Sequence, residues 1–289
     1  MYRKVLGVIS VLALLLLPLS AFAVGAKAMK ERVEVAMRLT GTIDIEPDGS
    51  VGGVNLQDED KVPAQVARFV RASVLTWAFE PVVRDGQAVA ARTPVSLRVV
   101  GKAQGDGTLK VAIRDASFAT YDKDSGESVT RWQMEPPRYP SDLADKRVQG
   151  EVFLLIRVGR DGHAQEVFAE QVNLRVMASE RQLQGFSERL AANAVSAARK
   201  WQFRPPTKGP DVDDPYWVVR VPVNYSLDRN AVDGADYGHW EAYVPGQRQR
   251  APWSTDAEWE GASDSLAAGG IYMAQGKKGP RLLTLLQEG

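Results

Sequence analysis

The chain has no cysteine in 289 residues and only two histidines, His163 and His239. Without thiols there is no disulfide framework, no thiolate zinc or iron–sulfur site, no cysteine nucleophile and no lipidated cysteine. An excess of one charge sign is also missing. Thirty-six basic side chains face 36 acidic ones, so no broad field draws the protein to nucleic acid or to an anionic membrane surface. Glycine-rich phosphate loops are absent, and nothing matches the Gly-x-Ser-x-Gly turn of serine hydrolases. What remains is an ordinary globular composition, 44% apolar and 25% charged, on a length that suits about two domains of ~150 residues.

One long apolar run exists, at the start. Arg3 and Lys4 precede an uncharged stretch over residues 5–17, then Pro18 and the small-x-small triplet Ala21-Phe22-Ala23. A charged end, an apolar core and small residues make an export signal, cut between Ala23 and Val24. Residues 1–23 are therefore read as a signal peptide, and the remainder as periplasmic. The alternative is an N-terminal anchor in the inner membrane, since residues 5–23 approach the ~20 that a membrane helix needs. An exported chain without cysteine must draw its stability from packing.

Beyond the leader, one pattern occurs twice. Leu39, Gly41, Ile43 and Ile45 alternate before Asp48-Gly49, and Val152, Leu154, Ile156 and Val158 alternate before Asp161-Gly162. Period-two alternation marks a strand with one buried face, and Asp-Gly at its end is a hairpin turn in which glycine takes positive φ. Each hairpin precedes a helical stretch: Val66 and Val70 in one copy; Phe186, Leu190, Ala194 and Ala197 in the other. These stretches end in Trp77-Ala78-Phe79-Glu80-Pro81 and Trp201-Gln202-Phe203-Arg204-Pro205, where proline stops the helix. A β-rich run closes each copy, residues 94–100 and 217–225, with Pro94 and Pro222 taken as equivalent.

The second copy carries Pro137-Arg138-Tyr139-Pro140, Ala144, Gly150-Glu151-Val152, Asp161-Gly162, Trp201-x-Phe203-x-Pro205 and Val221-Pro222-Val223. It resembles the TonB C-terminal domain, over residues 136–227. A diverged copy over about 33–100 lacks the Tyr-Pro opening and has Met37 at the position of Gly150. The resemblance implies an α+β fold of two small antiparallel sheets, each with a packed helix. The expected layout is a diverged domain at 24–118, a linker at 119–135, the clearer domain at 136–227 and an irregular aromatic-containing tail at 228–289. It also implies a periplasmic binding and coupling role: the domain pairs with an extended segment of an outer-membrane transporter and passes on energy from an inner-membrane motor complex. Protein partners are expected, without cofactor, metal, nucleic acid or enzymatic activity. A homodimer by strand exchange fits the same pattern.

The sequence departs from the family in two ways. Its leader has no histidine and offers a cleavage site, and residues 24–62 contain only Pro47 where a proline-rich spacer is expected. A cleaved chain would bind, cap or adapt rather than carry force.

Residues 217–225 are the candidate partner-binding edge: Trp217, Val218, Val219, Arg220, Val221, Pro222, Val223, Asn224 and Tyr225. Pro222 has no N–H for a ladder and is tolerated where that side faces solvent, and an open edge accepts a foreign strand. Val219 or Arg220 would then supply selectivity, the alternative being that the valines only complete the core. The other reading is a cell-envelope scaffold whose contacts lie in the tail, where Trp240, Tyr243, Trp253 and Trp259 either staple the domains or face a partner. Residues 109–113 alternate like a further strand, and 121–130 read as a solvated linker. Two acidic groups, Asp58-Glu59-Asp60 and Asp211, Asp213 and Asp214, lack metal-site spacing. Ser187, Glu188 and His163 lack a nucleophile turn.

Overall fold

A computed structural model describes residues 33–104, 108–227, 237–259, 264–274 and 279–286. The signal peptide with its Ala23–Val24 cleavage site and residues 105–107 lie outside the described residues. In chain order the elements are β1 (Glu34–Ile45), β2 (Val51–Leu56), α1 (Ala64–Val74), β3 (Val83–Arg84), β4 (Gln87–Ala88), β5 (Ala91–Ala103) and β6 (Leu109–Ser117). Then come β7 (Thr130–Gln133), α2 (Ser141–Asp145), β8 (Gly150–Gly159), β9 (Ala164–Leu174), α3 (Glu180–Ala198) and β10 (Gln202–Arg204). The chain finishes with β11 (Tyr216–Tyr225), β12 (Glu241–Tyr243), α4 (Asp256–Trp259) and β13 (Tyr272–Met273). This is the α+β class expected from the sequence, with antiparallel sheets.

The first sheet has the order β12-β1-β5-β6, with β2 also on β1; the second has the order β13-β11-β8-β9. In both, the strand before the Asp-Gly turn lies between its hairpin partner and a later strand. Ile45 stands opposite Ala91, and Val158 opposite Trp217. This register corrects one equivalence. Pro222 faces Phe153, and the corresponding position of β5 is Ser96, opposite Thr40, two residues beyond Pro94. A shift of two keeps every side chain on its face.

Packing follows the alternation. Met37, Leu39, Ile43 and Ile45 of β1 share a core with Val66, Val70 and Val74 of α1 and with Trp77 and Phe79. Val152, Leu154, Ile156 and Val158 of β8 share another with Leu183, Leu190, Ala194 and Ala198 of α3 and with Trp201 and Phe203. Spacings of four and seven put those helix residues on one stripe. A capping box fixes the start of α3: the Ser179 amide donates to the Gln182 side chain at 3.0 Å.

The two sequence motifs turn out to be halves of one contact. The Phe79 amide donates to the Gly49 carbonyl, and the Phe203 amide to the Gly162 carbonyl, both at 2.8 Å. Gly49 has φ 88° and Gly162 φ 78°. A Cβ on Gly49 would lie 2.1 Å from the Phe79 oxygen, and one on Gly162 2.3 Å from the Phe203 oxygen. The following Pro81 and Pro205 rings face the same glycines. The turn needs glycine for its φ, and the aromatic segment needs glycine for its approach. Hairpin and helix end are thus pinned together where the chain leaves the helix.

The other flank of each aromatic segment is filled differently. β7 pairs with β10, Arg131 opposite Phe203. Residues 281–284 pair with 78–80: the Glu80 amide donates to the Arg281 carbonyl at 2.9 Å, and the Leu283 amide to Ala78 at 2.8 Å. Leu282 and Leu286 pack on the first core. The stretch read as a linker therefore ends in structure, since Val129 is fully buried and β7 follows it. Ending the chain at residue 278 is expected to lower the unfolding free energy by about 2–4 kcal/mol, from two apolar side chains and the hydrogen bonds. Urea denaturation checks this, and an unchanged midpoint would show that the segment adds nothing.

The tail is a strap rather than an irregular extension. β12 pairs with β1 at Glu34–Ala36, and Val244 exchanges hydrogen bonds of 2.7 and 3.0 Å with Leu174 of β9. Tyr243 is buried, Trp240 packs on the first core, and Trp253 packs beside Leu155, Val218 and Ala251. The Trp259 ring lies under the Arg248 guanidinium at 4.1 Å. Trp240 and Tyr243 thus anchor the strap on the first sheet, and Trp253 anchors it on the second. Among the described residues, no helix is long and apolar enough to cross a membrane.

Candidate partner-binding edge

β11 pairs with β8 along its whole length. On its other side the Ala274 amide donates to the Val218 carbonyl at 2.7 Å. Backbone groups alternate along an antiparallel strand, so Val218, Arg220, Pro222 and Asn224 all turn theirs outward. Pro222 thus lacks its N–H on the outer side, where no bond to β8 is lost. That side is not open throughout, which corrects the expectation of a free edge. β13 sits there, with Val219 opposite Met273 and Arg220 opposite Tyr272. Ile271, Tyr272 and Met273 are all buried, and their apolar surface holds the segment in place. Beyond it, among the described residues, no strand lies beside Pro222 or Asn224.

The side chains of this strand face inward. Trp217, Val219, Val221, Val223 and Tyr225 enter the core beneath α3, while Val218 packs with Leu155 and Ala251 on the opposite face. Only Asn224 is exposed. Selectivity through Val219 or Arg220 is therefore overturned. Val219 is fully buried, and the Arg220 guanidinium, 5% exposed, is held by Glu170 and by the Glu258 carbonyl. Whatever β11 offers a partner is backbone.

Arg220 belongs to a buried polar layer that no periodicity announced. Glu170 is fully buried and accepts from Arg220 Nε at 2.8 Å and from Arg248 at 3.3 Å. Arg38 of β1 meets Glu151 of β8 at 3.0 Å, joining one sheet to the other. Arg98 stacks at 4.4 Å over the Tyr243 ring, and burial pushes that phenol up to about 12. Ser96 donates to the Ser265 carbonyl, which ties the strap to β5.

Asp115 also lies in this layer. Burial, then the charge of Asp264 and a hydrogen bond to it, hold the Asp115 carboxyl well above the usual range. A raised acid pKa means that ionising Asp115 costs folded stability as pH climbs through its folded value. Asp115→Asn should therefore stabilise the protein at neutral pH and leave it unchanged in acid, below the range where free carboxylates titrate. Midpoints measured from below the free carboxylate range up to pH 8 test this; a gain that is flat with pH would reject the assignment.

The residues of the sequence signature serve the fold. The Tyr139 hydroxyl donates to the Val148 carbonyl, and its ring stands edge-on to Tyr225 at 5.5 Å. Pro140 precedes α2 and accepts from Leu143 and Ala144. Gly150 opens β8 opposite Leu174 and Tyr225, and a Cβ there would lie 2.5 Å from the Asn173 oxygen. Trp201 Nε1 donates to Glu135 at 2.8 Å. Asp161 accepts from the His163 amide within the turn, with Gly162, Phe203 and Pro205 forming the contact described above.

The residues considered for other chemistry have separate partners. Asp58 pairs with Lys61, and Glu59 with Arg71. The Asp211 and Asp214 carbonyls accept from Trp217 Nε1 and Arg160. Glu188 accepts from Gln184 on its own helix, and His163 bridges to Gln202 across the chain. Among the described residues no group of three or more acidic or histidine side chains is placed to hold a metal ion.

Comparison with known proteins gives a partial likeness. A stretch of 95 residues, 33% of this chain, is 35% identical to Protein TonB from each of two strains of Xanthomonas campestris pv. campestris. The match covers 36% of each of those proteins, so the chain spans about a third of the length of the curated relatives it matches. No family model matches the chain, and no solved structure does. The chain contains a TonB-like region.

Proposed function

We propose that the protein is a TonB-like binding and coupling protein of the periplasm that engages extended segments of outer-membrane transporters by strand addition at β11, in the service of energised transport. In this reading residues 24–118 and 136–227 are two copies of one domain, residues 1–23 are cleaved as a signal peptide, and residues 228–289 tie the copies together. The role is non-enzymatic and uses no cofactor.

One observation carries the reading. The stretch that bears the TonB-like motifs ends in a strand that turns Pro222 and Asn224 outward, past the end of a two-residue cover. Backbone groups on that stretch can pair with an incoming strand without disturbing β8. Alanine would not test this, because the side chains are not the recognition element. Asn224→Pro removes the remaining outward donor while leaving the bonds to β8 in place. Transporter-derived peptides on a solid support should capture the wild-type chain and lose at least most of the variant, with only the small fall in unfolding midpoint that losing the Arg175 bond to the Asn224 side chain brings. Equal capture of both would reject β11 as the edge. The N-terminal residue of protein recovered from the periplasm tests the leader: Val24 supports an adaptor released into that compartment, and Met1 in the inner-membrane fraction supports an anchored transducer.

A further inference from the structure

The strap that crosses the molecule also closes most of its sheet edges. β13 lies on β11, and residues 244–249 run beside β9, with the Gln249 amide donating to Glu170 at 2.7 Å. β2 and β12 together occupy the side of β1 away from β5. Among the described residues, β2 and β6 each keep one side without a strand. β2 is short, with glycine at positions 52 and 53, and glycine weakens a strand. β6 is nine residues long, pairs with β5 on one side, and among the described residues has no strand on the other.

The open end of β6 carries a charge conflict. Lys110 stands directly opposite Lys102 of β5, and both are exposed. Neither makes an ion pair with a described residue. Like charges facing each other across two strands are destabilising, and a single acidic neighbour would relieve them. Leu109, 43% exposed, and the half-buried Val111 flank Lys110. Further along, a register shift makes Arg114 the extra residue of a bulge, and its side chain is engaged by Glu34 and Tyr243. A bulge ends regular pairing, so the addressable stretch is residues 109–113.

We propose that the outer side of β6, over residues 109–113, is a docking edge for an extended acidic segment of a partner protein, alternating carboxylates with apolar side chains. The carboxylates meet Lys110 and Lys102, and the apolar residues lie along Leu109 and Val111. A second copy of this chain is the poorer occupant, because antiparallel pairing of the same five residues puts the two Lys110 side chains on neighbouring diagonals, where they repel. The proposal concerns a different edge and a different partner chemistry from β11, and it stands without that reading.

The test uses the full chain and three fluorescent seven-residue peptides: alternating Glu and Val, alternating Lys and Val, and the Glu-Val peptide N-methylated at alternate amides. Anisotropy at low salt should show the acidic peptide binding about tenfold more tightly than the basic one, the effect of two exposed charge contacts, with the advantage shrinking as salt is added. N-methylation should abolish binding, because it blocks backbone pairing and spares the side chains. The double variant Lys102→Glu/Lys110→Glu, which alters only exposed side chains, should reverse the preference towards the basic peptide. Equal affinity for both peptides, binding that survives N-methylation, or a preference that fails to reverse would each overturn the proposal. Transporter-peptide capture by the same double variant separates the two edges. Retained capture with lost acidic-peptide binding keeps them distinct, and loss of both would show that β6 is no site of its own.

Discussion

Alanine in place of Gly162 is expected to lower the unfolding free energy by about 3 kcal/mol, from ~1–2 kcal/mol for a left-handed backbone and the rest from forcing the Phe203 segment off the turn. The geometry leaves little choice, since the added carbon would lie 2.3 Å from the Phe203 oxygen. Gly49→Ala should behave alike, because the Phe79 oxygen is 2.1 Å away. Gly86 supplies the control. It has φ 77° and nothing within 4 Å of an added Cβ, so alanine there should cost only the backbone share, about 1–2 kcal/mol. Urea unfolding followed by tryptophan fluorescence reads all three. If the three substitutions cost the same, the turn and the aromatic segment do not depend on each other as described.

Glu170→Gln should cost about 3–5 kcal/mol, the scale for leaving a buried charge without its partner. Glu170 is the carboxylate between Arg220 and Arg248, and the Arg220 side chain is only 6% exposed. Neutralising Glu170 takes the counter-charge from Arg220 and leaves its bond to the Glu258 carbonyl. Replacing both Glu170 and Arg220 by methionine removes the more deeply buried pair and should recover much of the loss, as buried pairs exchanged for apolar residues often do, while the more exposed Arg248 keeps its bond to the Trp259 carbonyl. The comparison separates a stabilising ion pair from one that only penalises its own disruption. If the double variant is no more stable than the single, that account fails.

Particular residues show how much of this could be read in advance. Leu39, Ile43 and Ile45, and Val152 to Val158 by twos, announced their strands because burial on one face repeats every second residue. Residues 109–113 announced β6 for the same reason. Trp77 and Trp201 marked where the helices stop. β7, β12, β13 and α4 went unread: each has four residues or fewer, too short for any period, and each exists because a neighbouring strand had room beside it. The polar layer was hidden for another reason. Arg98, Glu151, Glu170 and Arg220 sit at the alternate positions that ordinarily face water, so a one-sided sheet was the natural reading. The unbroken Val152-Phe153-Leu154-Leu155-Ile156 run was the available clue that β8 is covered on both faces. Pro222 marked a strand position whose backbone turns away from β8, but the cover of β11 could not be read, since residues 272–273 carry no mark that ties them to a strand fifty residues earlier.

The first sheet depends on partners that lie far along the chain. Tyr243 reaches Glu34 across 209 positions, and Thr284 reaches Ala78 across 206. Contacts of such separation form slowly, and a chain made from its N-terminus presents β1 long before residues 241–243 emerge. The half of the molecule synthesised first is thus finished last, and holding chaperones would find their substrate there, in a nascent sheet that waits for its final strands.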